Sequence, residues 1–347
     1  MAATLDERSR EVLKLLIQLH IATGEPVGSE SLCRLMNRSL SPASIRNIMA
    51  ELEKMGYLAH PHTSAGRMPT DEGYRVYVDT LMGPAALPAR EAAAIQSELR
   101  PREASPKEVA EHASQILSRL SRNVGFVMTP DMTQATFFHL DLVRLPHPRI
   151  LVVMVSRTGL VTHKVVEVDE QLGQDDLQTC ANYLNAHFAG MALDAIRARL
   201  LEMMGEDKAL YDTLLKRVIS VARPAFAAEP DGASVYVDGT SNMLDHPEFE
   251  DVARMRALFK TFEHKTRLVK IVAACLDGTN VRVVIGREIP DPDLQGVALV
   301  TAGFPVGAEG GWALGVMGST RMEYPHVVSV VDHMARVVAG ALREMGK

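Results

Sequence analysis

Four side chains early in the chain have the types and spacing to read the edge of a base pair. Ser41, Ser44, Arg46 and Asn47 lie within the string SPASIRNIMAELEKMGYL. An arginine offers two parallel donors that match guanine, an asparagine offers a donor and an acceptor that match adenine, and a serine hydroxyl reaches either a base or a phosphate. Ser41 followed by Pro42 is a helix cap followed by the residue pre-set for the first helical position. Ile45, Ile48, Met49, Leu52 and Met55 recur at helical spacing and make one face apolar. Ala43, Ser44, Arg46 and Asn47 occupy the other face toward the N-terminal end, and Gly56 stands where a left-handed residue would end the helix. That is the chemistry of a helix whose first turns enter a major groove.

Such a helix needs neighbours to hold it. Leu5, Ser9, Val12, Leu16 and Leu19 form one stripe, which predicts a first helix over about 5–22, closed by Gly24 and Pro26. Ser29 is placed to cap a short second helix with Leu32, Leu35 and Met36, and Asn37 to Leu40 make the turn into the third. Three helices so joined form a helix-turn-helix. Beyond Gly56 the pattern predicts a hairpin: Tyr57 to His60 outward, Pro61 to Gly66 as the tip, and Arg67-Met68-Pro69 returning. Thr70 then caps a helix through Tyr74, Tyr77, Val78 and Leu81. A hairpin in this place is a wing, and His62, Thr63, Ser64 and Arg67 give it polar contacts for a phosphate backbone or a minor groove. His60 and His62 could suggest a metal pair, but no third ligand lies nearby in sequence, and a wing is the better reading.

The remainder reads as mixed α and β. The stretch from Gly83 to Arg102 is rich in Pro and Ala and reads as a linker with an Ala-rich helical piece. Ser105-Pro106-Lys107-Glu108 is a capping box opening a helix through Leu120. Strand signals at 125–129, 136–144, 149–156 and 160–168 predict an antiparallel meander. A helical block follows over 175–223, broken near Gly190 and Gly205. Strands are then expected at 235–237, 268–274, 281–285, 298–303 and 312–317, with amphipathic helices over 247–262 and 325–345. The order of strands, helical block and strands predicts a sheet domain interrupted by an insertion. The glycines between Gly307 and Gly318 match neither GxGxxG nor a P-loop and read as turns around buried strands.

Composition fits this reading without proving it. Hydrophobic residues make up 47% of the 347 and charged residues 23%, ordinary for a globular chain. The net charge of -6 is the wrong sign for a nucleic-acid binder. Between Arg34 and Arg67, however, five basic residues face two acids, so the candidate footprint is locally basic. Three scattered cysteines argue against a disulfide framework and for a reducing cytoplasm. No apolar run approaches the ~20 residues of a membrane helix, and no membrane partner is expected. Without a nucleophile elbow, metal cluster or phosphate loop, an enzyme is disfavoured.

The strings GEPVGS, SPASIRN, PHTSAGR and PTDEGYRVYVD resemble the DNA-binding region of the heat-inducible transcription repressor family, HrcA. The likeness continues in YVDGTSNML, IGREI and GVMGSTRMEY, so it runs the length of the chain. It implies an α+β multidomain protein: a winged helix-turn-helix over 1–82, a linker over 83–103, a GAF-like α/β domain in two segments over 104–170 and 232–347, and an inserted, mainly helical dimerising segment over 171–231. It implies a homodimer on double-stranded DNA at an inverted-repeat operator of the CIRCE type before chaperone genes. Repression would be sustained by the GroE chaperonin and relieved by heat, with no cofactor. The expected DNA contacts are Ser29, Ser41, Ser44, Arg46, Asn47, His62, Thr63, Ser64 and Arg67. Two departures stand out: Glu30 occupies a position usually basic in the family, and Met317 and Ser319 replace a more usual Ile and Pro. The competing expectation is a winged-helix regulator that senses a metabolite in its GAF-like domain.

Overall fold

The computed structural model describes residues 5–37, 40–61, 66–83, 86–99, 105–130, 136–146, 148–157, 159, 161–168, 172–205, 213–226, 234–246, 249, 251–306 and 309–345. Its first unit is built as the periodicity requires. Helix α1 (Glu7–Thr23) starts at Asp6, whose carboxylate accepts from the Ser9 N–H at 2.8 Å, and buries Val12, Leu13, Leu16 and Ile17. Helix α2 (Ser29–Leu35) and helix α3 (Pro42–Lys54) complete the helix-turn-helix. The cap of α2 is Gly28 in extended conformation and not Ser29, which is already helical and buried. Strands β1 (Leu58–Ala59) and β2 (Met68–Pro69) pair antiparallel. Helix α4 (Asp71–Val76), capped by Thr70, runs on through a π turn over Tyr77–Leu81. Helix α5 (Ala89–Glu98) lies in the stretch read as a linker.

Helix α6 (Pro106–Ser121) opens with the expected Ser105–Glu108 capping box. Behind it stands a five-stranded antiparallel sheet of strands β3 (Val124–Met128), β7 (Val235–Asp238), β8 (Val281–Ile285), β9 (Val297–Val306) and β10 (Glu309–Ser319), in the order β7-β3-β10-β9-β8. Alternate residues of its strands serve opposite faces. Val127, Val300, Trp312 and Leu314 pack on one side against α6 and the long helix α12 (Tyr324–Met345). Phe126, Leu299 and Met317 pack on the other against helices α10 (Val252–Glu263) and α11 (Lys265–Ala274). This is the GAF-like α/β arrangement. The first of these cores continues without a break into the winged helix.

Two expectations are corrected. The segment 268–274 is helix, not strand. Leu268, Ile271, Val272 and Cys275 are buried at a spacing of three to four, so packing on the sheet overrides their β-branched composition. The strand expected over 312–317 is present and longer, running Glu309–Ser319 as a central strand paired on both sides. The meander holds only for three strands. Strands β4 (Phe137–Arg144), β5 (Arg149–Ser156) and β6 (Val161–Glu167) form their own sheet, whereas β3 joins β7 and β10. That three-stranded sheet is covered by helices α7 (Gln174–Phe188), α8 (Leu193–Gly205) and α9 (Thr213–Phe226). Leu140, Val152 and Ile150 pack there with Leu184, Ile196 and Phe226. The outer edge of β4 is closed by side-chain amides: Asn185 bonds both the N–H and the C=O of Leu140, and Gln174 bonds Leu142 C=O and Arg144 N–H. Among the described residues, Leu177, Leu184, Phe188, Leu193, Ile196, Leu200 and Val218 of the helical block are thus buried within the chain, whereas Leu201 is left 68% exposed.

Candidate nucleic-acid interface

Helix α3 is fixed from below and open above. Ile45, Met49 and Leu52 are at most 4% exposed and anchor it to α1 and α2. Ser41, Pro42, Ala43, Ser44, Arg46 and Asn47 are all exposed. Met55, expected on the apolar face, is exposed at 49%, because the helix ends at Lys54 and the chain turns away at Gly56. The Ser41 hydroxyl accepts from the Ser44 N–H at 3.1 Å and lies 2.9 Å from the Ser44 hydroxyl. The first turn is thus held rigid before any ligand arrives, and a rigid reading face loses less entropy on binding. Pro42 has no N–H, and the Ser44 and Ile45 N–H groups are taken by Ser41, so it is the helix dipole that favours an anion at this end.

The wing is bolted to the same unit by backbone. Val27 N–H donates to Arg67 C=O and Arg67 N–H donates to Val27 C=O, both at 2.9 Å. Thr70 holds the base of the hairpin, donating from its hydroxyl to Gly56 C=O at 2.6 Å. The Arg67 guanidinium does not stand alone at the surface. Its Nε donates to Glu53 of α3 at 2.8 Å, and the two side chains are 20% and 33% exposed. The wing arginine and the recognition helix are therefore one electrostatic unit.

Ser41, Ser44, Arg46 and Asn47 lie exposed on the first turns of α3, and Arg67 is joined to the same helix through Glu53. His62, Thr63 and Ser64, the expected wing-tip contacts, lie outside the described residues. Ser29 departs from expectation: as the first helical residue of α2 it is 9% exposed and turned into the unit, while Glu30 is the exposed side chain of that turn. An acid suits the positive end of a helix and repels a phosphate brought to the same place. Glu53 was not among the expected site residues. Its position one helical turn beyond Met49 gave only a salt-bridging surface acid.

Removing the charge of Glu53 should strengthen binding to any duplex and leave the preference for operator over random DNA unchanged. In Glu53→Gln, Arg67 and the DNA-facing surface gain one effective positive charge. Affinity for both specific and random duplexes should rise roughly threefold near 0.1 M salt, with a salt slope steeper by about one. Binding isotherms over a salt series read this directly, and a flat comparison with the native chain would refute it.

Known proteins resemble the chain along its whole length. Residues 4–80 match the family described as winged helix-turn-helix transcription repressor, HrcA DNA-binding, and residues 107–328 match the HrcA protein C-terminal domain. The heat-inducible transcription repressor HrcA of Geobacter sulfurreducens is 37% identical, over 97% of this chain and 98% of its own. The protein of the same name from Syntrophobacter fumaroxidans is 36% identical, over 99% of each chain. A crystal structure of a hypothetical protein at 2.2 Å resolution superposes with a TM-score of 0.65 at 21% identity, covering 99% of this chain and 100% of that one, and supports the fold. With its exposed recognition helix, its docked wing and these relatives, the chain belongs to the HrcA family of heat-inducible, winged-helix transcription repressors.

Proposed function

We propose that two copies of the chain bind one inverted-repeat operator of the CIRCE type before chaperone genes and block transcription there. Each copy places the first turns of α3 in a major groove and its wing along the backbone. The observation that carries this reading is the run of six exposed residues from Ser41 to Asn47, interrupted only by buried Ile45, on a first turn already locked by the Ser41–Ser44 pair. Arg46 and Asn47 supply base discrimination in this reading. Ser41, Ser44 and Arg67 hold phosphates, and the wing-tip residues His62, Thr63 and Ser64 reach the adjacent groove.

Dimerisation is assigned to an inserted unit that includes β4, β5 and β6 with α7, α8 and α9, so it begins nearer Phe137 than residue 171. The winged helix occupies about 1–82 and the connecting segment about 83–103. The support lies on the outer face of the three-stranded sheet. There Val143, Leu151 and Val165 stand in one register row, with Val155 and Val161 in another. Phe138, Val143, Val161 and Val165 are 44–59% exposed. An exposed apolar sheet face of this kind favours a symmetric partner. In this reading heat relieves repression, the GroE chaperonin sustains it and the protein works in the cytoplasm; the support is the likeness to repressors named heat-inducible.

Footprinting on promoter DNA of a chaperonin operon tests the target, with and without added chaperonin, and should show protection of both halves of an inverted repeat. Binding isotherms then test the residues. Arg46→Ala or Asn47→Ala should each cost about 1–3 kcal/mol of discrimination between operator and random DNA. Arg67→Ala should weaken both duplexes alike. Unchanged operator preference in all three variants would overturn the reading.

A further inference from the structure

The winged helix is fastened to the sheet domain by polar contacts that use none of its candidate DNA-contacting residues. Arg75 of α4 donates from Nε to one oxygen of Glu288 at 2.8 Å and from Nη2 to the other. Nη2 also donates to the C=O of Val283 in β8 at 2.7 Å, and Nη1 to Asp79 at 3.2 Å. Glu288 is held in turn by the Ile285 N–H at 2.9 Å. Beside it the Asp71 carboxylate accepts from the Arg287 N–H at 3.0 Å. Gly286, with φ +51°, makes that approach possible, since a Cβ there would sit 2.1 Å from an Asp71 oxygen. On the far side Arg321 donates to Ile21 C=O at 3.2 Å, and the rings of Tyr74 and Tyr324 meet at 5.9 Å within the shared core. The strings PTDEGYRVYVD and IGREI, distant in sequence, touch each other here.

Most ion pairs at a surface contribute little, but a two-pronged arginine with a third carbonyl acceptor fixes orientation as well as distance. Burial alone would raise the Glu288 carboxyl. The Arg75 fork and the Ile285 N–H outweigh it and hold that carboxyl below the usual range, so the pair stays charged. None of Ser41, Ser44, Arg46 or Asn47 takes part, so the head is fixed while its reading face stays open.

We propose that Arg75, Glu288 and Asp71 are positioning residues that set the angle of each winged helix on its sheet domain, and thereby the spacing of the two recognition helices in a dimer. The proposal rests on the operator reading above. A dimer with rigid heads engages its second half-site at high effective concentration, and heads free to swing lose that advantage without losing any DNA contact.

The test uses the full chain, a duplex carrying the inverted repeat, one carrying a single half-site, and inverted repeats with the spacer lengthened by one to five base pairs. Arg75→Met keeps the apolar stem and removes the fork, and Glu288→Gln keeps an oxygen for Ile285. Both variants should bind the inverted repeat about tenfold more weakly than the native chain, bind the half-site equally well, and tolerate altered spacers better. Equal losses on both duplexes, or unchanged affinity and spacer dependence, would overturn the positioning role. If Arg75→Met fails to fold, Glu288→Gln decides alone. A native chain with no preference for the inverted repeat would overturn the operator reading and the positioning role together. A native preference that the variants retain unaltered overturns only the latter.

Discussion

Replacing Trp312 by alanine should destabilise the sheet domain by about 4 kcal/mol, whereas Trp312→Phe should cost about 1–2 kcal/mol. Trp312 lies in β10, is 1% exposed, and is among the largest fully buried side chains. Its ring stacks on Phe304 of the neighbouring strand, with centroids 6.2 Å apart and planes 27° apart. Alanine removes that contact and leaves a cavity between the sheet and α12, which close packing cannot fill without moving the strand. Phenylalanine retains most of the ring. It also removes the indole N–H, which has no hydrogen-bond partner among the described residues, so the usual penalty for deleting a buried donor does not apply. The core containing Trp312 is continuous with that of the winged helix. Thermal unfolding of Trp312→Ala should therefore bring the DNA-binding unit down with the sheet domain in a single lowered transition. A variant melting within a degree or two of the native chain, or a winged helix that unfolds separately at its native temperature, would contradict this packing.

What the sequence revealed depended on how local the determining interaction is. Helix α3 was legible because its cap, its proline and its apolar spacing all lie within Ser41–Gly56, and each acts over one or two turns. The wing was legible for the same reason, as a hairpin bounded by Gly56 and Thr70. The identity of the reading face followed from what the apolar stripe left over. Sheet membership was not legible, because β3 pairs with β10 from the other end of the chain, and no local pattern distinguishes that partner from the nearer β4. Segment 268–274 misled for a related reason. Its valines and isoleucine favour strand in isolation, and only the sheet beneath decides that they serve as one stripe of α11. The Arg75–Glu288 contact, spanning 213 positions, left no local trace at all. Glu53 shows the converse: visible as a surface acid, it gained meaning only when the wing delivered Arg67 to it.

Gly66→Ala should cost about 3 kcal/mol of stability in the winged helix and weaken binding to any duplex. The reason lies in two strings read separately in the sequence, GEPVGS and PHTSAGR, which meet where the wing docks. A Cβ at position 66 would lie 2.3 Å from the Val27 carbonyl oxygen and 2.4 Å from its carbonyl carbon. Those are backbone atoms, so no side-chain rotation relieves the clash. The hairpin must instead lift, which stretches both Val27–Arg67 hydrogen bonds and carries Arg67 away from Glu53. Overpacking and the loss of two backbone bonds both act in the same direction. The DNA effect should differ in kind from that of Arg46→Ala: recognition helix α3 keeps its Ser41 cap and its reading face, so preference for operator over random DNA should survive while both affinities fall about tenfold, as loss of phosphate contacts requires. Gly83→Ala serves as the control. It lies outside the wing with nothing within 4 Å of the added carbon, and it should leave both melting and binding unchanged. Melting curves and isotherms on the two duplexes separate the outcomes: if Gly66→Ala matches the control in both, the wing is not held by the Val27–Arg67 bridge.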